Sequence, residues 1–421
     1  MSKLGERVRK LRKEKKMTLV DVAGNEMSKG MLSLIENGRS NPSMESLQHI
    51  AKQLGVNVQV LLAEESSEAM KRSLIELEDD LQKLHNSSSM KEYKRISSLI
   101  KEKLITVFNE DLPKTYETGR FYEIAGRIHY GDKEYEIGST YLEKAIAYYE
   151  SLSLFHSVYK AQLRTVLNTF VTHNYQMALE ELLSFKQEYK SRELLSDPLV
   201  QIESDYLEAL LLFSVGRYEE GSSMLEQVIA FSKRNNIYYL MDDIYRIASF
   251  SALLNGDDEK RRYTLMKSRQ FAEFTERADG LESCMYLEVH YENVYLNNHD
   301  KALEMIESIR CDKNFGAIEE NGHWNLELAR AYYGLGKIDL AYEELERFVF
   351  PEYAHHPFDR AMLSTADAYM ALCLIKREDI KTALVHAEKA KLAVADLPHT
   401  PYHQFIRETW EKTFNLAREQ S

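Results

Sequence analysis

Proline, cysteine and long apolar runs are scarce in this chain of 421 residues. Seven prolines, against 26 tyrosines, leave room for long uninterrupted helices. Its three cysteines, Cys284, Cys311 and Cys373, lie far apart and favour buried reduced thiols over disulfides or metal ligands. No run of 18 apolar residues occurs, and the charged N-terminus lacks an apolar core. We therefore expect no membrane span, no signal peptide and a cytoplasmic location.

Motifs typical of enzymes are also missing. The sequence contains no glycine-rich phosphate or dinucleotide loop, no helical zinc-protease pair and no nucleophile elbow. Residues 355–359 (HHPFD) contain ligand-type side chains, but they lie in a predicted proline-containing loop, and we assign no metal to them. We predict neither an enzyme nor a cofactor.

Charge is distributed unevenly along the chain. The net charge is −13, yet residues 1–63 contain 11 Lys/Arg against 6 Asp/Glu, a balance of +5. The remaining residues therefore carry −18. A basic module attached to an acidic body predicts that only the module approaches a polyanion such as nucleic acid.

The basic module, residues 1–63, is predicted to form five short helices. Leu4, Val8 and Leu11 recur at helical spacing and indicate one buried face. Thr18 and Asp21 have the spacing of a capping box at the start of a second helix.

Further end signals follow in the same module. Ser28 is a candidate cap for a third helix, and Gly38 supplies the left-handed exit from it. Pro42 and Ser43 begin a fourth helix, which Gly55 ends.

Residues 32–43 (LSLIENGRSNPS) give the module a specific resemblance to Xre/Cro-type helix-turn-helix domains, which extends over residues 4–62. In that family the third helix enters the major groove of DNA. The resemblance implies that base edges and flanking phosphates are contacted by Ser28, Lys29, Gly30 and Ser33. It implies phosphate contacts for Thr18, Asn37, Arg39, Ser40 and Asn41.

Within this set, Lys29 is the best candidate for a guanine contact. Two features depart from the family pattern. Leu19 replaces the usual glutamine, which removes one phosphate contact, and the interval from Ala23 to Ser33 is one residue short. Such a short turn resembles that of peptide-responsive regulators.

Residues 64–89 are predicted to form a linker helix followed by a hinge at residues 86–89. Their apolar residues are spaced 4, 3, 4 and 3, as in a short heptad seam: Met70, Leu74, Leu77, Leu81 and Leu84. Packing of this helix on its own chain and dimerisation through the seam are equally compatible with the pattern.

From residue 90 to residue 421 a helix–turn–helix pattern repeats about seven times. In each unit a polar turn precedes a helix whose fourth residue is usually small, and these positions are 39 to 43 residues apart: Gly138, Ala178, Gly221, Arg261, Ala302, Ala341 and Ala383. The clearest unit, residues 331–341 (AYYGLGKIDLA), resembles the tetratricopeptide consensus. We predict an all-α chain in which these repeats form a right-handed superhelical array with a concave groove.

The first helices of the repeats carry amides, phenols and paired charges that suit an extended peptide. Asn pairs with both backbone groups of a peptide, and Arg clamps a carboxylate. Contacts between helices are the competing explanation for each residue. The candidates are Arg120, Glu123, Arg127, Asn168, Tyr206, Asp243, Tyr245, Arg246, Asn293, Asn325 and Arg330.

A helix-turn-helix, a linker helix and a long tetratricopeptide-like array together resemble the Rap/NprR/PlcR/PrgX family of Gram-positive quorum-sensing receptors. The resemblance implies a homodimeric transcription regulator that binds a palindromic operator in double-stranded DNA. It also implies control by a short signalling peptide in the concave groove. Some family members instead bind a response regulator or another protein, so a second protein partner is the alternative.

Overall fold

The computed structural model describes residues 3–40, 42–56, 61, 68–85, 90–109, 112–191, 197–311 and 322–419. Within these ranges the regular structure is helical and contains no strand, which confirms the all-α prediction. The chain divides into two compact units, Met1–Ala161 and Gln162–Ser421. No helix among the described residues is long and apolar enough to cross a membrane.

Four short helices begin unit 1. They are α1 (Lys3–Glu14), α2 (Leu19–Ala23), α3 (Lys29–Glu36) and α4 (Met44–Leu54). Except for Leu61, the residues that would form the predicted fifth helix lie outside the described ranges, as does the candidate DNA contact Asn41.

The predicted helix ends are confirmed. Thr18 Oγ1 accepts a hydrogen bond from the Asp21 amide at 3.2 Å, and Asp21 Oδ2 accepts one from the Thr18 amide at 2.7 Å. Ser28 Oγ accepts from the Met31 amide at 3.1 Å and caps α3. Gly55, with a φ of 61°, adopts the left-handed conformation that ends α4.

These four helices enclose a small core of their own. Val8 is fully buried, and Leu4 and Leu11 pack beside it, so the predicted face of α1 is confirmed. A Cβ on Gly5 would lie 2.2 Å from the Ile35 carbonyl oxygen, because the backbones of α1 and α3 touch there.

A buried ion pair adds a second link between α1 and α3. Arg12 Nε and Nη2 donate to the two carboxylate oxygens of Glu36 at 2.6 and 2.8 Å. The same guanidinium donates to the Met17 carbonyl at 3.1 Å, so Arg12 holds three segments in register.

The linker helix α5 (Glu68–His85) packs within unit 1. It lies against α6 (Met90–Phe108) and α7 (Tyr116–Gly131), which α8 (Tyr135–Ser151) follows. Met70, Leu77, Leu81 and Leu84 are buried in one cluster with apolar residues of α6 and α7. The heptad seam is thus covered by its own chain. The predicted hinge, residues 86–89, lies outside the described ranges.

Thirteen further α-helices are described after α8. Helix α9 (Phe155–Val171) contains the boundary between the two units. Unit 2 continues with α10 (Tyr175–Ser191), α11 (Pro198–Ser214), α12 (Tyr218–Asn235), α13 (Met241–Leu254), α14 (Asp258–Phe274), α15 (Ala278–His290), α16 (His299–Cys311), α17 (Gly322–Gly334), α18 (Ile338–Arg347), α19 (Pro357–Lys376), α20 (Ile380–Ala393) and α21 (Pro401–Glu419).

The repeat pattern locates the second helix of every unit. Helices α8, α10, α12, α14, α16, α18 and α20 each begin three residues before the predicted small position. Ala178, Ala302, Ala341 and Ala383 at that position are fully buried, which lets paired helices approach closely. The prediction of a helical repeat array is confirmed.

Late segments of unit 2 contact earlier helices of the same unit. The Tyr175 hydroxyl donates to the His355 carbonyl at 2.7 Å. The Tyr218 hydroxyl donates to the His399 carbonyl at 2.8 Å, and the ring centroids of Phe250 and Phe358 are 3.8 Å apart. The segments that lead into α19 and α21 are therefore fixed to α10, α12 and α13.

Candidate DNA-binding surface and ligand cavity

A buried polar network lies at the centre of unit 2. Glu327 is fully buried, and Arg330 Nη1 donates to its carboxylate. His290 Nδ1 lies 2.7 Å from Glu327 Oε1, and Asn293 Nδ2 donates to Glu327 Oε2 at 3.0 Å. Burial by itself raises the pKa of Glu327, but Arg330 and His290 more than offset this and hold the pKa at about 2. The carboxylate is therefore ionised at neutral pH.

This network extends from a π-helical turn to the last helix. The turn, Tyr291–Tyr295, follows α15 directly and contains Asn293. The other ring nitrogen of His290, Nε2, lies 2.7 Å from the Tyr402 hydroxyl. Burial lowers the pKa of His290, so its imidazole is neutral at neutral pH. Because π-helical turns recur at functional sites, the space beside this turn is a candidate ligand site.

A cavity of about 340 Å³ opens beside His290 and Tyr402. Its apolar wall consists of Ile247, Phe250, Leu253, Leu287, Phe358, Met362 and Leu363. Its polar lining consists of Arg246, Asp279, Glu282, Ser283, Tyr286, His323, Tyr353 and Asp359. The volume and the mixed lining suit a few side chains of an extended ligand.

Among the eleven residues predicted to bind peptide, Arg246 lines this cavity. Its guanidinium donates to Asp243 Oδ1 at 3.0 Å, so the structure brings these two predicted residues together. Tyr206 and Tyr245 belong to the neighbouring apolar cluster, in which Tyr245 is buried and stacks on Phe271 at 5.9 Å.

The polar side chains of three other predicted residues form hydrogen bonds within unit 2. Asn293 and Arg330 belong to the Glu327 network, and Arg330 also donates to the Met362 carbonyl at 3.0 Å. Asn325 Nδ2 donates to Glu344 Oε2 at 2.8 Å. All three are buried, so contacts between helices account for them in this structure.

Asn168 of α9 differs from these residues. Its Nδ2 is buried and has no hydrogen-bond partner among the described residues. An unsatisfied buried donor costs about 1–3 kcal/mol, so this amide is suited to donate to an acceptor that the described residues do not supply.

The remaining three predicted residues lie on α7 in unit 1. Arg120 Nε donates to Glu78 at 2.6 Å, and Arg120 Nη1 lies 2.6 Å from Glu123. The Tyr149 hydroxyl donates to Glu123 Oε2 at 2.9 Å, and Arg127 is half-buried. The bonds of Arg120 and Glu123 link α7 to α5 and α8.

The predicted loop at residues 355–359 is wrong in its second half, because Pro357 begins α19 and fits the first helical turn, where no backbone donor is needed. His356 Nδ1 accepts a hydrogen bond from the Phe358 amide at 3.2 Å and caps α19. Among the described residues no group of three or more His, Cys, Asp or Glu side chains is placed to hold a metal ion.

On α3 the predicted DNA contacts face solvent. Ser28, Lys29 and Gly30 are exposed at its first turn, whereas Ser33 is half-buried. The Lys29 side chain has no hydrogen-bond or ion-pair partner among the described residues. A Cβ on Gly30 would have Ser28 Oγ at 3.8 Å as its nearest neighbour, so this surface is open.

The predicted phosphate contacts flank this surface. Thr18 caps the start of α2 and is exposed, as are Asn37 and Arg39 after α3, while Ser40 is half-buried. Asn37 Nδ2 donates to the Ser33 carbonyl at 2.7 Å. Lys29 and Arg39 supply exposed positive charge, which suits an anion such as phosphate.

A family model described as a helix-turn-helix domain matches residues 5–67. Helices α1 to α4 thus belong to a helix-turn-helix domain. A curated relative, the HTH-type transcriptional regulator DdrOP3 of Deinococcus deserti, is 48% identical over 61 residues. The match covers 14% of this chain and 47% of that relative, so the chain spans about half the length of the relative that it matches.

Two solved structures are similar over more of the chain. Bacillus thuringiensis PlcR, in complex with the peptide PapR7 and DNA, is 18% identical, with 68% of this chain and 99% of that chain covered and a TM-score of 0.46. Aspartyl phosphate phosphatase F of Bacillus subtilis is 13% identical, with coverages of 96% and 95% and a TM-score of 0.46. The fold assignment rests on the helices described above.

The helix-turn-helix domain also exposes apolar side chains that the sequence motif did not single out. Met31 and Leu34 are 46% and 44% exposed on α3, beside the buried Leu32 and Ile35. Their spacing from Leu32 and Ile35 places them off the buried face of α3, and this spacing can be read from the sequence.

Proposed function

We propose that this protein is a transcription regulator of the Rap/NprR/PlcR/PrgX type, in which a short signalling peptide controls DNA binding. The helix-turn-helix match over residues 5–67 is the observation that carries the DNA-binding part. The resemblance seen in the sequence supports the rest: a homodimer in the cytoplasm, a palindromic operator and a role in Gram-positive quorum sensing.

In this proposal the exposed first turn of α3 enters the major groove. Lys29 donates to guanine O6 or N7, Ser28 and Ser33 contact base edges or flanking phosphates, and Gly30 permits close approach. Neutral donors at Thr18, Asn37, Ser40 and Asn41, together with Arg39, hold phosphates and set the register. The balance of +5 over residues 1–63 attracts the DNA backbone.

The cavity of unit 2 is the proposed peptide site. Its apolar wall suits peptide side chains, and Arg246 and the exposed carboxylates at its edge fix polar groups. His290 and Tyr402 connect this lining to the buried Glu327 network. A peptide that prefers one arrangement of these helices changes the population of DNA-binding states, provided that it binds the two states unequally.

The DNA-binding part is tested by selecting duplexes from a random pool with the full-length protein. We expect enrichment of a two-fold symmetric sequence with half-sites about one helical turn apart, or a multiple of it. The control variant Lys52→Ala removes an exposed lysine of α4 outside the predicted contact set and should enrich the same sequence. Absence of any enriched sequence contradicts the proposal.

The peptide part is tested by native mass spectrometry of full-length protein purified from a Gram-positive host. We expect a bound mass equivalent to five to ten residues, and its loss when Leu363→Asp places a charge in the cavity wall. Co-purification of a second protein without a peptide supports the alternative, a repeat module that sequesters a protein partner.

A further inference from the structure

Carboxylates outnumber cations around the cavity of unit 2. Asp279, Glu282 and Asp359 line it, against the single guanidinium of Arg246. Arg246 is already bonded to Asp243 at 3.0 Å. The lining therefore carries excess negative charge when its histidines are neutral.

A second guanidinium, that of Arg277, pairs with the lining carboxylate Asp279 but does not remove that excess. Arg277 Nη2 donates to Asp279 Oδ2 at 2.6 Å, while Arg277 Nη1 donates to Asp242 at 2.7 Å and Asp243 at 3.0 Å. One guanidinium thus serves three carboxylates. Arg246 and Arg277 are thus bonded to three carboxylates, those of Asp242, Asp243 and Asp279, while Glu282 and Asp359 add two further negative charges to the lining.

Two of the lining carboxylates, Asp279 and Asp359, are exposed. Asp279 is also paired with Arg277, a guanidinium that it shares with Asp242 and Asp243, so a ligand cation at Asp279 joins an ion pair that is short of positive charge. Glu282 accepts a hydrogen bond from Trp324 Nε1 at 2.9 Å, and this indole supplies no charge. Burial, with help from Glu282 and Asp359, raises the pKa of the Tyr353 hydroxyl, which stays neutral.

The remaining wall is apolar and aromatic. Phe250 and Phe358 pack edge to face at 3.8 Å, and Tyr286 lies beside them. Aromatic faces attract cations as well as apolar groups, and the attraction is stronger where water is excluded. An apolar wall with an acidic edge is complementary to a side chain and a cation held side by side.

We propose that this cavity selects a peptide in which a cationic group adjoins an apolar or aromatic side chain. The inference rests on the proposed peptide-binding function and specifies its ligand. The cation is a protonated N-terminal amine or a Lys or Arg side chain, both of which a carboxylate pair binds. A carboxylate at the same place is repelled by the excess negative charge.

Synthetic hexapeptide pools with amidated C-termini test the charge preference on the full-length protein. The central residues are fixed as Phe-Lys, Phe-Glu or Phe-norleucine, and each pool is made with a free and with an acetylated N-terminus. Retained peptides are quantified by native mass spectrometry. We expect the Phe-Lys pool to be retained at least tenfold over the Phe-Glu pool. If the N-terminal amine is the cation, acetylation abolishes retention of the norleucine pool.

The double variant Asp279→Asn/Asp359→Asn tests the location of the preference. We expect its ratio of Phe-Lys to Phe-Glu retention to fall toward one. The control Glu307→Gln/Glu388→Gln removes two charges from exposed helix positions outside the cavity lining and should keep the full ratio.

The outcomes separate this inference from the proposed function. Equal retention of the Phe-Lys and Phe-Glu pools by the unmodified protein overturns the charge preference and leaves peptide binding intact. An unchanged ratio in the Asp279→Asn/Asp359→Asn variant overturns the location. Retention of no pool overturns this inference together with the proposed peptide function.

Discussion

Glu327 and Arg330 form a charged pair with almost no access to water, and each also bonds to other buried groups. Arg330 Nη2 donates to Thr365 Oγ1 at 2.7 Å and to the Met362 carbonyl at 3.0 Å, which joins α17 to α19. Forming such a pair gains little net free energy, because both ions lose hydration. Removing one partner is costly, because the other charge stays buried.

We therefore expect Glu327→Gln to lower the free energy of unfolding by about 3 kcal/mol. The exposed substitution Glu388→Gln should change it by less than about 0.5 kcal/mol. Urea denaturation of the two variants measures the difference. Equal stability would show that the Arg330 charge finds another partner.

Lys29 and Arg39 are both exposed, yet they are predicted to act differently on DNA. Lys29→Ala should cost about 1–3 kcal/mol on the selected duplex and relax its sequence preference. Arg39→Ala should weaken all duplexes alike and reduce the salt slope by about one. Fluorescence anisotropy over a salt series measures both quantities. A sequence-selective loss for Arg39→Ala would contradict its phosphate role.

The hydrogen-bond partners of the polar residues in unit 2 could not be predicted from the sequence. Residue type and helical spacing made Asn293, Asn325 and Arg330 candidates for peptide binding, with contacts between helices as the alternative. They did not reveal that Glu327 and Glu344 occupy their polar groups, because such partners depend on side-chain direction. Cavity residues such as Tyr402 come from distant helices, and spacing along the sequence carries no information on them.

At the scale of helices, local chemistry was sufficient for prediction. Capping serines and threonines, left-handed glycines and the small residue of each repeat act within a few residues of the helix end that they determine. Their positions in the sequence therefore located the ends of α2, α3 and α4 and the starts of the second repeat helices. Arg261 occupies a small-residue position and is nevertheless buried, with its guanidinium 3.5 Å from the Tyr291 ring centroid.

At Gly138, whether substitution by alanine raises or lowers stability tests how closely two helices pack. In an open helix, Gly→Ala stabilises by up to about 1 kcal/mol. At Gly138 the new Cβ would lie 2.3 Å from the Tyr130 ring, between α7 and α8. We expect Gly138→Ala to destabilise the protein by about 1–3 kcal/mol.

Gly30→Ala is the matched control for this substitution, because the nearest neighbour of its new Cβ would be at 3.8 Å. It should be neutral or stabilise by about 0.5 kcal/mol. Thermal unfolding of both variants gives the comparison. Stabilisation by Gly138→Ala would contradict the close approach of α7 and α8.

Over the whole of unit 2, burial lowers the pKa of five histidines: His173, His290, His299, His356 and His403. Below about pH 6.5 the unfolded chain therefore binds more protons than the folded chain does. Glu327, with its pKa of about 2, adds a loss of stability below about pH 4.5. Protonation of the histidines and of Glu327 therefore lowers the free energy of unfolding in both cases.

We expect the stability of the protein to be constant with respect to these groups above about pH 6.5 and to fall as the pH drops below it. Urea midpoints at pH 7.5, 6.5 and 5.5 provide the measurement. His290→Gln, which removes one of the titrating groups, should reduce the slope. A midpoint that rises on acidification would contradict the assignment of neutral buried histidines.

Control of DNA binding by a peptide is the central claim, and linkage makes it directly measurable. If the peptide changes DNA affinity, DNA must change peptide affinity by the same factor. The most direct measurement is the affinity of the full-length protein for its selected duplex with and without saturating co-purified peptide. We predict a change of at least about fivefold that is absent in Leu363→Asp. An unchanged affinity with peptide demonstrably bound would contradict the account.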